Sequence, residues 1–339
     1  MPSRIAVNTA AIIVNYNGWQ DTLRCVHSLL QSDTVPGCLV VVDNHSTDDS
    51  FEQIYRWARG EIPIPLLPKD HPLNRISSPK PLLTATFQMV SQPLQSLSFS
   101  KPTLLLYQTP GNSGYAGGVN AGIQLVWNIP EINWFWILNN DVMVHPGALQ
   151  ALLQCTRQSA SVGIWGSKLL DFDNPQRIQA IGGRYYTCLA LPTHIGQGEI
   201  DHGQYDRPVA IDYVVGAAML VSRSFLAQVG LLNENYFLYF EEMDWVARGK
   251  KLGMGVAYCW KSRVYHKEGA VTGGSHKQSK SELSDFYFIR NRLLFTRKYY
   301  PWCLPLVYLS FLGVIIRRML RGQWQRIPKI LKILISHEI

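Results

Sequence analysis

Charge is scarce in this sequence: Asp, Glu, Lys and Arg make up 17% of its 339 residues. None of its six cysteines stands in a CxxC pair, and no Cys/His spacing suits a zinc site. The cysteines therefore read as buried, reduced thiols of a cytosolic protein. No internal repeat is visible, which excludes a solenoid. No secretory signal is visible either: the early apolar run Ile5–Val14 is broken by Asn8 and Thr9 and reads as a strand. The apolar run Trp302–Ile316 has fifteen residues, short of the roughly 20 that span a bilayer. Basic charge is missing from most of the chain. Net charge is +8, yet Phe286–Ile339 holds ten Lys/Arg against one acid, Glu338, and carries +9, which leaves residues 1–285 at −1. A nucleic-acid enzyme spreads basic charge over its working face, so nucleic acid is not an expected partner.

What is present is 47% hydrophobic and patterned. Ala10–Val14, Cys38–Val42, Thr103–Tyr107 and Trp134–Leu138 read as short buried strands. Helical spacing is expected at Asp21–Leu30, Asp49–Ala58, Val119–Trp127 and Gly147–Ser159. Strands alternating with helices imply an α/β fold, a mostly parallel central sheet with helices on both faces. Residues 60–102 hold eight prolines, at 63, 65, 68, 72, 79, 81, 93 and 102, and read as an irregular insertion without strands. Beyond Ile164 the pattern changes. Arg177–Tyr186 and Asp212–Val221 read as strands, Glu241–Leu252 and Ser281–Arg297 as helices. In the tail, Trp324, Ile327, Leu331 and Leu334 recur at helical spacing with Arg326, Lys329 and Lys332 between them. That basic amphipathic helix suits an anionic membrane surface, and the expected address is the inner face of a plasma membrane.

Four polar clusters carry the chemistry. In an α/β sheet, ligands bind beyond the carboxyl ends of the strands. Asp43-Asn44-His45-Ser46-Thr47-Asp48 ends one strand, where an acid can accept hydrogen bonds from a base or a ribose and Ser46 or Asp48 can cap the next helix. Gly111–Gly122 follows a strand and opens a helix, whose free N–H groups favour an anion. It lacks GxGxxG spacing and does not follow the first strand, which disfavours a dinucleotide site. Asn139-Asn140-Asp141 follows a buried strand, a place for a carboxylate that holds Mg²⁺ or Mn²⁺. Glu241, Glu242 and Asp244 follow the aromatic run Tyr236–Phe240. Neighbouring carboxylates beside apolar rings raise one pKa and make a usable base.

Taken in order, these clusters resemble the family 2 glycosyltransferases, inverting enzymes of the GT-A fold. The resemblance rests on Ile12-Ile13-Val14-Asn15-Tyr16-Asn17, Val41–Asp48, Asn112–Gly122, Leu138-Asn139-Asn140-Asp141 and Phe240-Glu241-Glu242-Met243-Asp244. Its wording is closest to a rhamnosyltransferase-like branch that builds bacterial surface polysaccharides. The resemblance implies a nucleotide-sugar core at 9–225, an acceptor-side and base region at 226–298, and membrane-contacting helices at 299–339. It implies a donor site of Asn15, Asn17, Asp43, Asn44, Gly117, Gly118, Asn120 and Asn140. Asp141 and His266 would hold the metal, Glu242 or the adjacent Glu241 would be the base, and Asp244 and Trp245 would lie on the acceptor side. The acceptor is expected to be a saccharide or lipid-linked saccharide, and the sugar rhamnose. Two features depart from the family: Asn139 stands where its metal motif has an acid, and Glu242 where Asp is common. A nucleotidyltransferase is the first rival, but Asn15-Tyr16-Asn17-Gly18-Trp19 lacks the Lys or Arg expected of its loop. The second is a non-catalytic carbohydrate-binding protein stacking sugars on Trp134, Trp136, Tyr236 and Trp245.

Overall fold

The structure is a computed structural model and describes residues 4–76, 84–267 and 281–335. In chain order the strands and helices are β1 (Arg4–Asn15), α1 (Trp19–Leu30), β2 (Thr34–Asp43), α2 (Ser50–Ala58), β3 (Thr86–Met89), β4 (Thr103–Gln108), α3 (Gly114–Val126), β5 (Trp134–Asn139), β6 (Val142–Val144) and α4 (Ala148–Cys155). There follow β7 (Val162–Asp171), β8 (Ile178–Ala180), β9 (Gly183–Tyr186), β10 (Leu191–His194), β11 (Ala218–Ser222), α5 (Arg223–Val229), α6 (Glu241–Lys251) and β12 (Gly255–His266). The tail is α7 (Glu282–Tyr299), α8 (Leu304–Leu320) and α9 (Ile327–Ile335).

The main sheet runs β3-β4-β2-β1-β5-β11-β7-β12-β6, with β8 on β7. From β3 to β5 all pairs are parallel; β11 enters antiparallel between β5 and β7. Side chains alternate across this sheet, because successive Cβ atoms point to opposite faces. Ala10, Ile12 and Val14 pack with Val119 and Ile123 of α3 on one side. Ala11 and Ile13 pack with Leu23, Val26 and Leu29 of α1 on the other. Two apolar layers thus cover the sheet, as the strand–helix alternation implies.

Four expectations need correction. The Pro-rich stretch does contain a strand: β3 is a four-residue edge strand on β4, short enough to fit between prolines (residues 77–83 lie outside the described residues). Arg177–Tyr186 is two strands, β8 and β9, parted at Ile181-Gly182, and Asp212–Val221 forms a strand only from Ala218. Residue 225 is not a boundary within the sheet, since β12 returns to pair with β7 and β6. Finally, Cys155 and Cys259 are joined by a disulfide between α4 and β12, so not all six thiols are reduced.

The tail packs on the domain through its own small core. Ile289 and Leu293 of α7 meet Val307 and Phe311 of α8 and Ile330 and Ile333 of α9. Asp285 of α7 pairs with Arg318 and Arg326, and Glu282 with Lys329. The opposite face of α8 is apolar and exposed: Trp302 before it, then Leu306, Leu309, Leu312, Ile316 and Leu320. Pro301–Leu320 is long and apolar enough to cross a membrane by length and composition. Residues 336–339 lie outside the described part.

Candidate active site

The carboxyl ends of β1, β2 and β4 are level, with Asn15 opposite Asp43 and Asp43 opposite Gln108. This register makes one polar row. Asp43 is buried and accepts from Asn15 Nδ2 at 2.8 Å, Gln108 Nε2 at 2.9 Å, Ser46 Oγ at 2.5 Å and Ser46 N at 3.2 Å. Four donors offset the cost of burying a carboxylate. Asn15 is also tied to Thr22, whose hydroxyl donates to Asn15 Oδ1 at 2.7 Å. Asp43 and Asn15 thus form the floor of the site. Asn17 stands above them, exposed and left-handed at φ 52°, with Oδ1 receiving the N–H groups of Thr47 and Asp48.

Asn44 connects this floor to the glycine-rich loop. Its Nδ2 donates to Gly114 O at 2.9 Å and Asn112 Oδ1 at 3.1 Å, and its Oδ1 accepts from Ser113 N and Oγ. The loop's glycines have different tasks. Gly114 has φ 73° and no space for a Cβ against Phe237, and Tyr115 N donates to Phe237 O at 2.7 Å. Gly118 faces the sheet, where a Cβ would lie 2.6 Å from Val14 Cγ1; at Gly117 a Cβ would strike Ser113. Asn120 is buried and bonded to Leu232 and Glu234. Gly118 and Asn120 therefore act in packing α3, which corrects their placement in the donor pocket. Asn140 is likewise buried, its Nδ2 shared by Gly18 O and Thr22 Oγ1 at 3.2 Å each, so it braces the start of α1. Along this edge Asn17, His45, Gly111 and Asn112 form an exposed rim.

Asp141 and His266 are far apart in sequence and adjacent in space. The cause is β6, which starts one residue after Asp141 and pairs Val142 with His266 at the end of β12. His266 Nε2 lies 3.1 Å from Asp141 Oδ1. His266 Nδ1 lies 2.7 Å from Gln179 Oε1, an acceptor, so the ring proton sits on Nδ1. That leaves Nε2 to face Asp141 Oδ1 and, at 3.3 Å, the Asn139 amide Nδ2. The donor set of imidazole plus carboxylate is one that suits Mn²⁺ or Mg²⁺. Among the described residues no group of three or more His, Cys, Asp and Glu gathers as a metal cluster. The pair would need further oxygen ligands from a bound diphosphate or water.

Glu241 and Glu242 open α6 after an irregular turn. Phe237, Tyr239 and Phe240 have φ of 57°, 68° and 71°. Bulky residues in this region cost of order 1–3 kcal/mol each, and such outliers gather at functional sites. The turn stands Glu241 and Glu242 side by side, Glu241 buried and Glu242 half-buried. Burial, then the Glu242 charge, holds the Glu241 carboxyl well above its usual range. Burial pushes Glu242 up to about 7, with a hydrogen bond from protonated Glu241 acting in the opposite direction. Glu242 is thus the member that loses its proton near neutrality, and its Oε2 is buried without a hydrogen bond among the described residues. Tyr115 joins the two halves of the site. Its hydroxyl donates to Gly216 O at 2.8 Å, and burial followed by the charges of Glu241, Glu242 and Asp141 holds its pKa well above normal.

Asp244 and Trp245 do not face an acceptor. Both are fully buried. Asp244 pairs with Arg248 at 2.8 Å and Lys298 at 2.6 Å and accepts from Tyr299 Oη at 2.7 Å, while Trp245 Nε1 donates to Gly230 O. They fasten α6 to its neighbours. Sequence reasoning passed over Gln108, Tyr115, Gln179 and Tyr213, the last of which feels the Glu242 charge. Gln108 could have been found, since it ends a strand in register with Asp43. Tyr115 lies within the Gly111–Gly122 cluster, which was read for its glycines and Asn120; nothing local marks Gln179 or Tyr213.

A family model described as "Glycosyltransferase like family 2" matches residues 84–283. The low-salt glycan biosynthesis hexosyltransferase Agl10 of Haloferax volcanii is 25% identical over 211 residues, covering 61% of this chain and 64% of that protein. The chain thus spans a little under two thirds of that relative. The N-acetylglucosaminyl-diphospho-decaprenol L-rhamnosyltransferase of Mycobacterium tuberculosis is 28% identical over 214 residues, 56% of this chain and 68% of the relative. Among solved structures, the mannosyltransferase PcManGT from Pyrobaculum calidifontis, in complex with GDP-Man and Mn²⁺, overlays with a TM-score of 0.52 at 12% identity, covering 98% and 88% of the two chains. GalNAc-T7 with UDP, GalNAc and Mn²⁺ overlays with a TM-score of 0.53 at 13% identity, covering 77% of this chain and 44% of its own. At such identities the overlays speak for the fold.

Proposed function

Because the chain belongs to glycosyltransferase family 2, has the GT-A fold and is a glycosyltransferase, we propose that it transfers its sugar in a single inverting displacement. The donor is a nucleotide-diphosphate sugar lying on the Asn17–Asn112 rim, with Asp43 and Asn44 holding that rim in place. The acceptor is a hydroxyl of a saccharide or lipid-linked saccharide. Glu242 takes the hydroxyl proton as the oxygen bonds to the anomeric carbon, and the bond from that carbon to the diphosphate oxygen breaks on the far side. Glu241, protonated, keeps the excess charge of the pair low. Asp141 and His266 would hold Mg²⁺ or Mn²⁺, which when bound neutralises charge on the leaving diphosphate. The observation that carries this reading is the Asp141–His266 pair, 3.1 Å apart, with Asp141 and the Glu241–Glu242 pair both acting electrostatically on Tyr115. Mn²⁺ in the GalNAc-T7 and PcManGT structures supports the metal, and the rhamnosyl transfer of the mycobacterial relative supports rhamnose as the first sugar to try. A panel of dTDP-rhamnose, GDP-mannose and UDP-N-acetylglucosamine with and without Mn²⁺ tests it. Acceptor-dependent release of nucleoside diphosphate is expected from one donor, and its absence from all three, with and without polyprenyl-linked saccharide, contradicts the reading.

The tail is proposed to lie in an anionic membrane interface on the cytoplasmic side. The support is the exposed apolar stripe of α8 with exposed Arg317, Arg321, Lys329 and Lys332 beside it. Because α8 is held against α7 by Val307, Phe311 and the Arg318–Asp285 pair, it favours an in-plane position over a crossing one. Leu309→Glu with Ile316→Glu should abolish cosedimentation with phosphatidylglycerol vesicles; unchanged binding would refute this placement.

A further inference from the structure

The turn that presents the catalytic pair is gripped from α7 by the Asn291 side chain. Asn291, on α7, is fully buried. Its Nδ2 lies 2.6 Å from Tyr236 O, 2.8 Å from Leu238 O and 3.0 Å from Tyr239 O. Those three carbonyls belong to the stretch where the backbone turns left-handed, at Phe237, Tyr239 and Phe240. A turn with such dihedrals persists only where its surroundings over-determine it. Helix α6 itself supplies little restraint, since Phe240 caps it without a side-chain hydrogen bond. Arg290 extends the clamp by donating to Asn235 O at 2.8 Å and to Asn291 Oδ1 at 2.9 Å.

We propose that Asn291 is a positioning residue: its amide fixes the Tyr236–Phe240 turn and so sets where the Glu242 carboxylate stands. The inference rests on Glu242 being the base. Asn291 does not touch the reacting atoms; it acts through the backbone. An amide is suited to the task, because its NH₂ offers two protons toward carbonyls that no helix or strand satisfies. The ionisable groups that face Glu242 are Glu241, Tyr115 and Tyr213. None of them lies on α7, so loss of Asn291 changes no charge next to the base.

The test uses the full chain and three variants, Asn291→Ala, the uncharged and similarly sized Asn291→Leu, and Glu242→Gln. Two readouts are taken: transfer from dTDP-rhamnose, GDP-mannose and UDP-N-acetylglucosamine, and hydrogen exchange of the 236–242 backbone. Misplacing a reacting group by about 1 Å costs about 10²-fold, so kcat should fall by that order in both Asn291 variants, with donor KM within about twofold. Exchange at 236–242 should quicken about tenfold while β1, β2 and β5 stay protected. Full kcat in the Asn291 variants beside a dead Glu242→Gln overturns the positioning role. So does exchange that quickens equally throughout the sheet, or not at all. If Asn291→Ala does not fold, Asn291→Leu, which fills the same space, decides on the same readouts. An active Glu242→Gln instead refutes the base assignment, and the exchange data then judge the clamp by themselves.

Discussion

Replacing Glu242 by Gln keeps the side chain's volume and removes its ability to take a proton. A positioned general base contributes about 10²–10⁴-fold, so kcat should drop by that factor, about 2.7–5.5 kcal/mol in the barrier. The structure also sets the pH dependence of the parent enzyme. The base must be ionised to act, and burial lifts the Glu242 carboxyl to about 7. Activity should therefore rise with pH, reach half its plateau near that value, and be down about tenfold one unit below it. An ordinary exposed glutamate would put the same limb near pH 4.3. The assay is acceptor-dependent release of nucleoside diphosphate, followed from about pH 5 to pH 9 with the metal saturating. A Glu242→Gln enzyme that keeps nearly full turnover, beside a dead Glu241→Gln, would refute the reasoning and move the base one residue back. A parent profile flat down to pH 5 would refute the burial argument.

Glu241→Gln should stabilise the protein, and more so at high pH. The folded carboxyl is held above its unfolded range, so ionising it opposes folding as pH rises; the Tm gain should grow from about pH 5 to pH 8, and a constant gain would contradict this. Gln179→Ala leaves both metal-facing atoms in place but frees the His266 ring, and Mn²⁺ affinity by calorimetry should weaken about 10–100-fold. Gly122→Ala puts a methyl 2.5 Å from Ile12 Cγ2, which should cost about 1–3 kcal/mol in urea unfolding, since α3 cannot sit closer to β1.

Strands β1, β2, β4 and β5 were legible because each holds an uninterrupted apolar run, and Asp43 and Asp141 stand at or just past the carboxyl ends of two of them; β3, four residues of mixed polarity between prolines, was not. Strand β12 was not legible. Lys261, Ser262 and Arg263 interrupt it where its register with β7 shifts, and the irregularity hides its alternation. Strand β7 was obscured by Lys168, a buried ammonium made tolerable by Asp201 and Asp206. The site shows the same limit. Motif spacing made Glu241, Glu242, Asp244 and Trp245 candidates alike, and the structure shows Asp244 and Trp245 to be buried anchors, Asp244 paired with Arg248 and Lys298. Gln179 and Asn291 reach the site only through tertiary packing, which no local pattern encodes.

The central claim is a one-step transfer by Glu242 from a nucleotide sugar held at the carboxyl edge of the sheet. The anomeric configuration of the first product, read by the proton coupling of its new glycosidic linkage, tests it most directly. The account predicts a configuration opposite to that of the donor. Retention of the donor's configuration would contradict it.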